Sequence, residues 1–344
     1  MTLTTAPFAP ELASADELRA WYEVAAAVSA DFPTAPMPPY EVYVQQLCRP
    51  LSPHGQLQRW DARDNGQLVG TAVATFLAGE NSELVIITVR VPPRHRRSGA
   101  GTQLLQATLP AVRRHGRLRV TGTVRAGVDG EKWAHALGFG TVALRSTQHL
   151  DIAATDPARW LVEPAAGFRL LRWTDAAPDE LVQSFARARD AIADSPIGAS
   201  SYQHPGWNTE RVRDHEAQTR ASGESHRYVA AVDERSGTVA GFTELAVTPG
   251  QWSHCRQEDT AVLPRFRGLG LGRAMKANMM RWLTTDLPRL EQVRTVTASE
   301  NQHMIRVNSQ LGYRTDSTLA YVESETGALE ALLDTRTGRP RPRL

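Results

Sequence analysis

At 344 residues the chain is too long for one ordinary core and suits two domains of about 150–170 residues each. Its 41% hydrophobic and 22% charged residues are those of a soluble globular protein, and a net charge of +2 gives no footprint for nucleic acid. Two cysteines, Cys48 and Cys255, cannot staple a secreted scaffold, no basic residue precedes Arg19, and the best apolar run (residues 84–91) is far too short to span a bilayer; a cytoplasmic protein without a membrane partner is expected.

In chain order, Leu18, Trp21, Val24 and Val28 recur at helical spacing over residues 17–29, and a proline-rich loop, Pro33–Pro39, follows. Residues 56–62 and 67–77 read as a hairpin about Asp64-Asn65-Gly66, because Asn-Gly supplies the positive dihedrals of a tight turn. A buried strand (84–91), a basic glycine loop (92–101), a helix (102–114), a strand (118–124), a short helix (131–137) and a strand (141–150) complete the first half. Pro157 and Pro164 mark residues 156–167 as a linker.

The second half repeats this order: strand 168–173, helix 179–192, a hairpin of 228–233 and 238–247 about Ser236-Gly237, strand 258–262, loop 264–272, helix 273–283, strand 293–298, helix 303–311 and strand 318–323. The repeat is also legible residue by residue. Shifted by 171 positions, residues 66–105 lie over 237–276 without a gap, and Gly66, Gly70, Pro93, Arg96, Gly99 and Gly101 fall on Gly237, Gly241, Pro264, Arg267, Gly270 and Gly272. Such punctuation marks a duplicated domain. The expected division is 1–155, linker 156–167, 168–331, and a basic proline-containing tail, 332–344, that does not pack.

In each half a strand runs into a glycine loop that opens a helix: Arg96-Arg97-Ser98-Gly99-Ala100-Gly101-Thr102 and Arg267-Gly268-Leu269-Gly270-Leu271-Gly272-Arg273. Glycines gather main-chain N–H groups at a helix N-terminus, where the dipole favours a pyrophosphate. Neither loop continues into Gly-Lys-Ser/Thr, and Leu104 and Met275 do not fit a dinucleotide fingerprint.

This Arg-x-x-Gly-x-Gly pattern resembles the acyl-CoA loop of the GNAT superfamily of N-acyltransferases. The second half adds Asn301-x-x-Met304-x-x-x-Asn308-x-x-Leu311-Gly312-Tyr313, and the first half ends its short helix in Leu137-Gly138-Phe139. The whole is similar to tandem GNAT proteins found among actinobacterial metabolite-modifying enzymes. The resemblance implies an α+β fold of two tandem domains, each a mixed, mostly antiparallel sheet flanked by helices, with a bulged strand splayed from its neighbour. It implies acetyl-CoA or another acyl-CoA, one per domain, with pantetheine along Val89, Arg90 and Val91 or along Thr260, Ala261 and Val262. The loop amides would take the pyrophosphate, and Asn301 would bond the pantetheine arm. Many members carry a tyrosine acid where Asn308 stands; asparagine cannot supply the proton but can orient a water or the thiol.

An amine acceptor must lose a proton, so a carboxylate or histidine near the thioester is useful. Strand alternation puts His254, Arg256, Glu258 and Val262 on one face, which makes Glu258 and then His254 the candidate bases; Asp259 points to the other face unless a bulge shifts the register. Ile87 and Ala134 stand where the first half would need a base and an acid. The expected activity is therefore acyl transfer to a small amine in the second half, with a largely structural acetyl-CoA site in the first. A non-catalytic acyl-CoA-binding protein and a protein N-acetyltransferase are the alternatives. No metal-ligand spacing is present, and a monomer and a homodimer are both open.

Overall fold

The computed structural model describes residues 3–31, 37–49, 51–52, 55–248 and 252–337. Residues 33–36 of the proline-rich loop and 338–344 of the expected tail lie outside the described residues. Two compact units result: Met1–Ala143 with Ala199–Gln203 and Ala320–Leu344, and Leu144–Gly198 with His204–Leu319. The expected domains are consecutive; the units are interleaved.

In the first unit β1 (Leu3–Pro7) is followed by α1 (Ala15–Ala30) and α2 (Tyr40–Leu47). Ser14 and Glu17 close the start of α1 reciprocally, each side chain accepting from the other's main-chain N–H. Next come β2 (Leu51–Ser52), β3 (Gly55–Asp64) and β4 (Gln67–Leu77). Asn65 and Gly66, at φ 49° and 85°, make the tight turn that Asn-Gly predicts. Then follow β5 (Leu84–Arg90), α3 (Ala100–Arg114), β6 (Arg119–Arg125), α4 (Asp129–Ala136) and the first residues of β7 (Gly140–Asp151).

The remainder of β7 belongs to the second unit, where it pairs antiparallel with β12 (Gln292–Ala298) from Asp151↔Gln292 to Arg145↔Ala298. Around it lie β8 (Phe168–Thr174), α5 (Asp179–Asp190), α6 (Thr209–Ser222), β9 (Ser225–Asp233), β10 (Val239–Val247), β11 (His254–Val262), α7 (Leu271–Asp286) and α8 (Gln302–Leu311). The sheet runs β7-β12-β11-β10-β9-β8. Residues 156–167 are no loose tether: Trp160 is buried and donates its indole N–H to the Leu311 carbonyl. Lys276 of α7 is only 2% exposed, with its ammonium over the Tyr313 ring, and burial alone pushes its pKa down to about 7.

The last strand, β13 (Arg314–Glu325), is divided, and its residues from Ala320 onward lie beside β6 in the first unit. After it α9 (Thr326–Thr337) sets Leu329 and Leu333, both fully buried, into the core beside Leu104, Val112 and Leu137. This corrects the expected tail: α9 runs from Thr326 to Thr337, and Leu333, inside the expected tail, is buried.

Candidate active site

In the second unit β11 carries one extra residue relative to β10. On β10, Thr243 pairs with Thr260 and Leu245 with Gln257, so Glu258 and Asp259 together oppose Glu244. Side chains confirm the two-against-one count. Thr243 Oγ1 accepts from Gln257 Nε2 at 3.0 Å and shares a hydrogen bond with Thr260 Oγ1 at 2.7 Å. Residues three apart on a regular strand face opposite sides, and a bulge puts them on the same one. Cys255 and Val262 accordingly pack against the α7 core, and Ala261 packs against the α5 core. The expectation that Glu258 shares a face with Val262 is thereby corrected; Asp259 joins Glu258 instead, on the side of Glu244.

Behind the bulge is a buried ionic cluster. Glu244, 2% exposed, takes Arg189 of α5 at 3.1 Å, His226 Nδ1 at 2.6 Å and the Tyr228 hydroxyl at 2.7 Å, with His215 of α6 at 3.7 Å. Burial alone would raise its pKa, but Arg189 and the histidines outweigh burial and hold it well below the usual carboxylate range. His226 loses by burial but gains more from Glu224 and Glu244, which raise it to about 9. The Trp207 ring covers the Arg189 guanidinium at 3.9 Å.

The two bulge carboxylates differ. Glu258 accepts from Arg256 Nε at 2.9 Å, and Arg256 also reaches Glu224 at 3.3 Å. Burial raises Glu258 against the pull of Arg256. Asp259 has no hydrogen-bonding or ionic partner among the described residues; burial first and Glu244 second push it up to about 6. A half-buried carboxylate without a partner and with a pKa near neutrality is suited to accept a proton.

His254 opens β11, about 13 Å along the strand from Glu258. It shares a hydrogen bond with Ser253, and burial lowers its pKa. Structure thus separates the two candidate bases. Asn308 is fully buried and donates to Gln148 Oε1 at 2.8 Å, bracing β7 within the unit. Asn301 accepts from the Met304 N–H and so caps α8, leaving its Nδ2 without an acceptor among the described residues.

β11 pairs with β12 over only three residues, His254–Arg256, and the same holds for β5 with β6 over Leu84–Ile86. Both units therefore contain the expected splay. Each loop is also built alike. Arg267 Nε donates to the Val262 carbonyl at 3.0 Å while its guanidinium pairs with Asp194; Arg96 Nε donates to the Val91 carbonyl at 3.1 Å and pairs with Asp31 at 2.7 Å. These arginines staple the loops. Gly268 and Gly270 have positive φ, as do Arg97 and Gly99, and Gly270 and Gly99 begin α7 and α3 without a side-chain cap. Leu271 and Ala100 turn their side chains into the core, whereas Leu269, Arg97 and Ser98 are exposed. The uncapped amides are free for a pyrophosphate, which fits an acyl-CoA.

The first unit departs in two ways. Its β4–β5 ladder runs from Thr71↔Arg90 to Phe76↔Val85 without a shift, which corrects the bulge expected there. Val73, Ile87 and Thr88 occupy the positions of Glu244, Glu258 and Asp259. Trp133 of α4 also donates to Thr102 Oγ1 at 3.1 Å and lies against the position of Gly101, whereas over Gly272 only Thr260 comes near.

Sequence reading missed Glu244, Arg189, His226 and Tyr228. One signal was available: Glu244 is the only charged residue in Val239–Val247, an otherwise wholly uncharged run. A lone charge in a strand buried throughout needs a partner.

A model of the acetyltransferase (GNAT) family matches residues 18–139 and 190–313. The chain belongs to the GNAT family of acetyltransferases and carries two GNAT domains in tandem. Among solved structures it is similar to a tandem GNAT protein from the clavulanic acid biosynthesis pathway, at 24% identity over 95% of this chain and 99% of that one, with a TM-score of 0.76. It is also similar to a GCN5-related N-acetyltransferase from Sphaerobacter thermophilus, at 15% identity over 94% and 96% of the two chains, with a TM-score of 0.72. No curated protein matches it. Among the described residues, no helix is long and apolar enough to cross a membrane.

Proposed function

We propose that the second unit transfers an acyl group from acyl-CoA, acetyl-CoA first, to a small amine, with Asp259 and Glu258 taking the proton. The observation that carries this reading is the bulge, which sets both carboxylates on the side of Glu244, next to the splay of β11 from β12. Acetyl-CoA supplies the acyl group as a thioester when bound. The amides of residues 268–273 hold its pyrophosphate, Thr260, Ala261 and Val262 border its pantetheine, and Asn301 Nδ2 bonds the arm. The deprotonated carboxylate at the bulge then accepts the ammonium proton and frees the lone pair of the amine. Cys255, 1% exposed with its thiol pushed up to about 12 by burial, does not offer a nucleophile, so transfer is direct.

The first unit holds acyl-CoA without turnover. Its stapled loop supports binding, and the unbroken β4–β5 ladder with Ile87 and Thr88 supports the lack of chemistry. The pathway of the clavulanic acid relative suggests an acceptor from secondary metabolism. The test is CoA release from acetyl-CoA with a panel of small amines and with an N-terminal peptide. Release with small amines alone supports this reading; release with the peptide alone makes the chain a protein acetyltransferase. Binding without release leaves it a carrier.

A further inference from the structure

We propose that Glu244 is a positioning residue for this reaction: its charge, locked behind the bulge by Arg189, His226 and Tyr228, acts on Asp259 and Glu258 and tunes them as proton acceptors. This rests on the reading of those two carboxylates as the base.

The geometry is direct. Glu244 is the single β10 residue facing both bulge residues, it is buried, and no element intervenes. An ionised carboxylate beside another makes the second more reluctant to lose its proton, and low-dielectric surroundings strengthen the effect. The charged and titratable groups clustered about Glu244 and the bulge enter the balance: Arg189 from α5, His215 from α6, His226 and Tyr228 from β9 with Glu224 just before it, Glu244 from β10, and Arg256 and Glu258 from β11 itself. Arg189 and His226 partly neutralise Glu244, so the three form a lever. Removing Glu244 takes away repulsion and leaves the Arg189 and His226 cations uncompensated behind the bulge. Removing His226 leaves Glu244 less compensated. The two substitutions must therefore move Asp259 in opposite directions. A merely structural brace gives no reason for opposite signs. Of the charged groups, Glu244 raises Asp259 most.

The experiment is carboxyl 13C NMR titration of protein labelled at aspartate Cγ, with Asp259→Asn assigning the resonance and no ligand added. Glu244→Gln is expected to lower the Asp259 midpoint by about one pH unit or more, and His226→Gln to raise it. Glu244→Asp, which keeps the charge, is expected to stay near wild type. Shifts of the same sign, or none, overturn the proposal. If Glu244→Gln leaves Arg189 unpaired and does not fold, His226→Gln decides by the sign of its shift. The midpoints need no turnover, so failure here is distinct from failure of the proton-acceptor reading, which shows as unimpaired acyl transfer in the Asp259→Asn/Glu258→Gln double variant.

Discussion

Asp259 shares its face with Glu258, opposite Glu244, because β11 carries one residue more than β10 at that rung. In the unbulged ladder of the first unit Thr88 pairs with Val73, at the positions of Asp259 and Glu244, while Ile87, at the position of Glu258, faces the opposite side. The insertion brings Glu258 alongside, so two carboxylates stand together on this side, where alternation put Glu258 with His254 on the face of Val262.

Replacing them measures the division of labour. Glu258→Gln and Asp259→Asn are each expected to lower turnover, the more important one by about a hundredfold to ten-thousandfold, with acyl-CoA affinity nearly unchanged. Steady-state kinetics beside calorimetry checks this. Asp259→Asn should show the larger effect, since Glu258 is already engaged by Arg256. For wild type, activity should rise with pH through about 6, where Asp259 becomes deprotonated.

The loops offer a count of sites. Gly99→Glu and Gly270→Glu are each expected to remove one acyl-CoA site, because the carboxylate repels pyrophosphate. Native mass spectrometry reads the stoichiometry directly. Both glycines have positive φ, so each substitution also strains the backbone by about 1–2 kcal/mol, and folding is verified by melting.

Arg267 is a subtler case. Its pair with Asp194 is exposed, so Arg267→Ala should cost about 1 kcal/mol or less in stability. Losing the bond to the Val262 carbonyl frees the loop, and acyl-CoA affinity is expected to weaken about tenfold, close to 1.4 kcal/mol. Unchanged affinity in calorimetry would show that the loop holds its shape without the staple.

Lys276 gives a pH-dependent stability effect. Its folded pKa, about 7, is below that of the unfolded chain, which starts from 10.5. The unfolded state therefore binds the extra proton between these values, and the penalty is full below about 7 and fades as pH rises toward 10.5. Lys276→Met should raise the melting temperature more at pH 6 than at pH 10. Equal gains at both would mean the ammonium is not desolvated.

Leu333→Ala should destabilise the first unit by about 2–5 kcal/mol, the range for an aliphatic side chain removed from a closed core. Denaturant unfolding followed by tryptophan fluorescence checks it.

Much of this architecture was legible because it rests on local chemistry. Asn65-Gly66 located its hairpin, and the repeated glycines located both loops and the duplication. α6 went unread: it carries little apolar periodicity, although Asn208 and Gly223 mark its ends. α9 was hidden by the Arg-Pro alternation just beyond it, which masked Leu329 and Leu333. At the site Glu258 was found by type and position, but whether it shares a face with Val262 or with Asp259 depends on which rung receives the bulge. That is fixed by the Thr243, Gln257 and Thr260 side chains across two strands. The partners of Glu244 come from α5, α6 and β9, and their convergence is a property of the folded chain alone.

The division of β13 sets an order of assembly. Every segment of the second unit has been synthesised once the ribosome passes residue 319, whereas the first unit, though begun first, lacks its closing strand and Leu329 and Leu333 until residue 333 is made. Its sheet must wait with β6 unpartnered on that side, an open edge of the kind that recruits wrong neighbours. A released chain truncated after residue 319 should therefore contain one finished unit, and it is the later one.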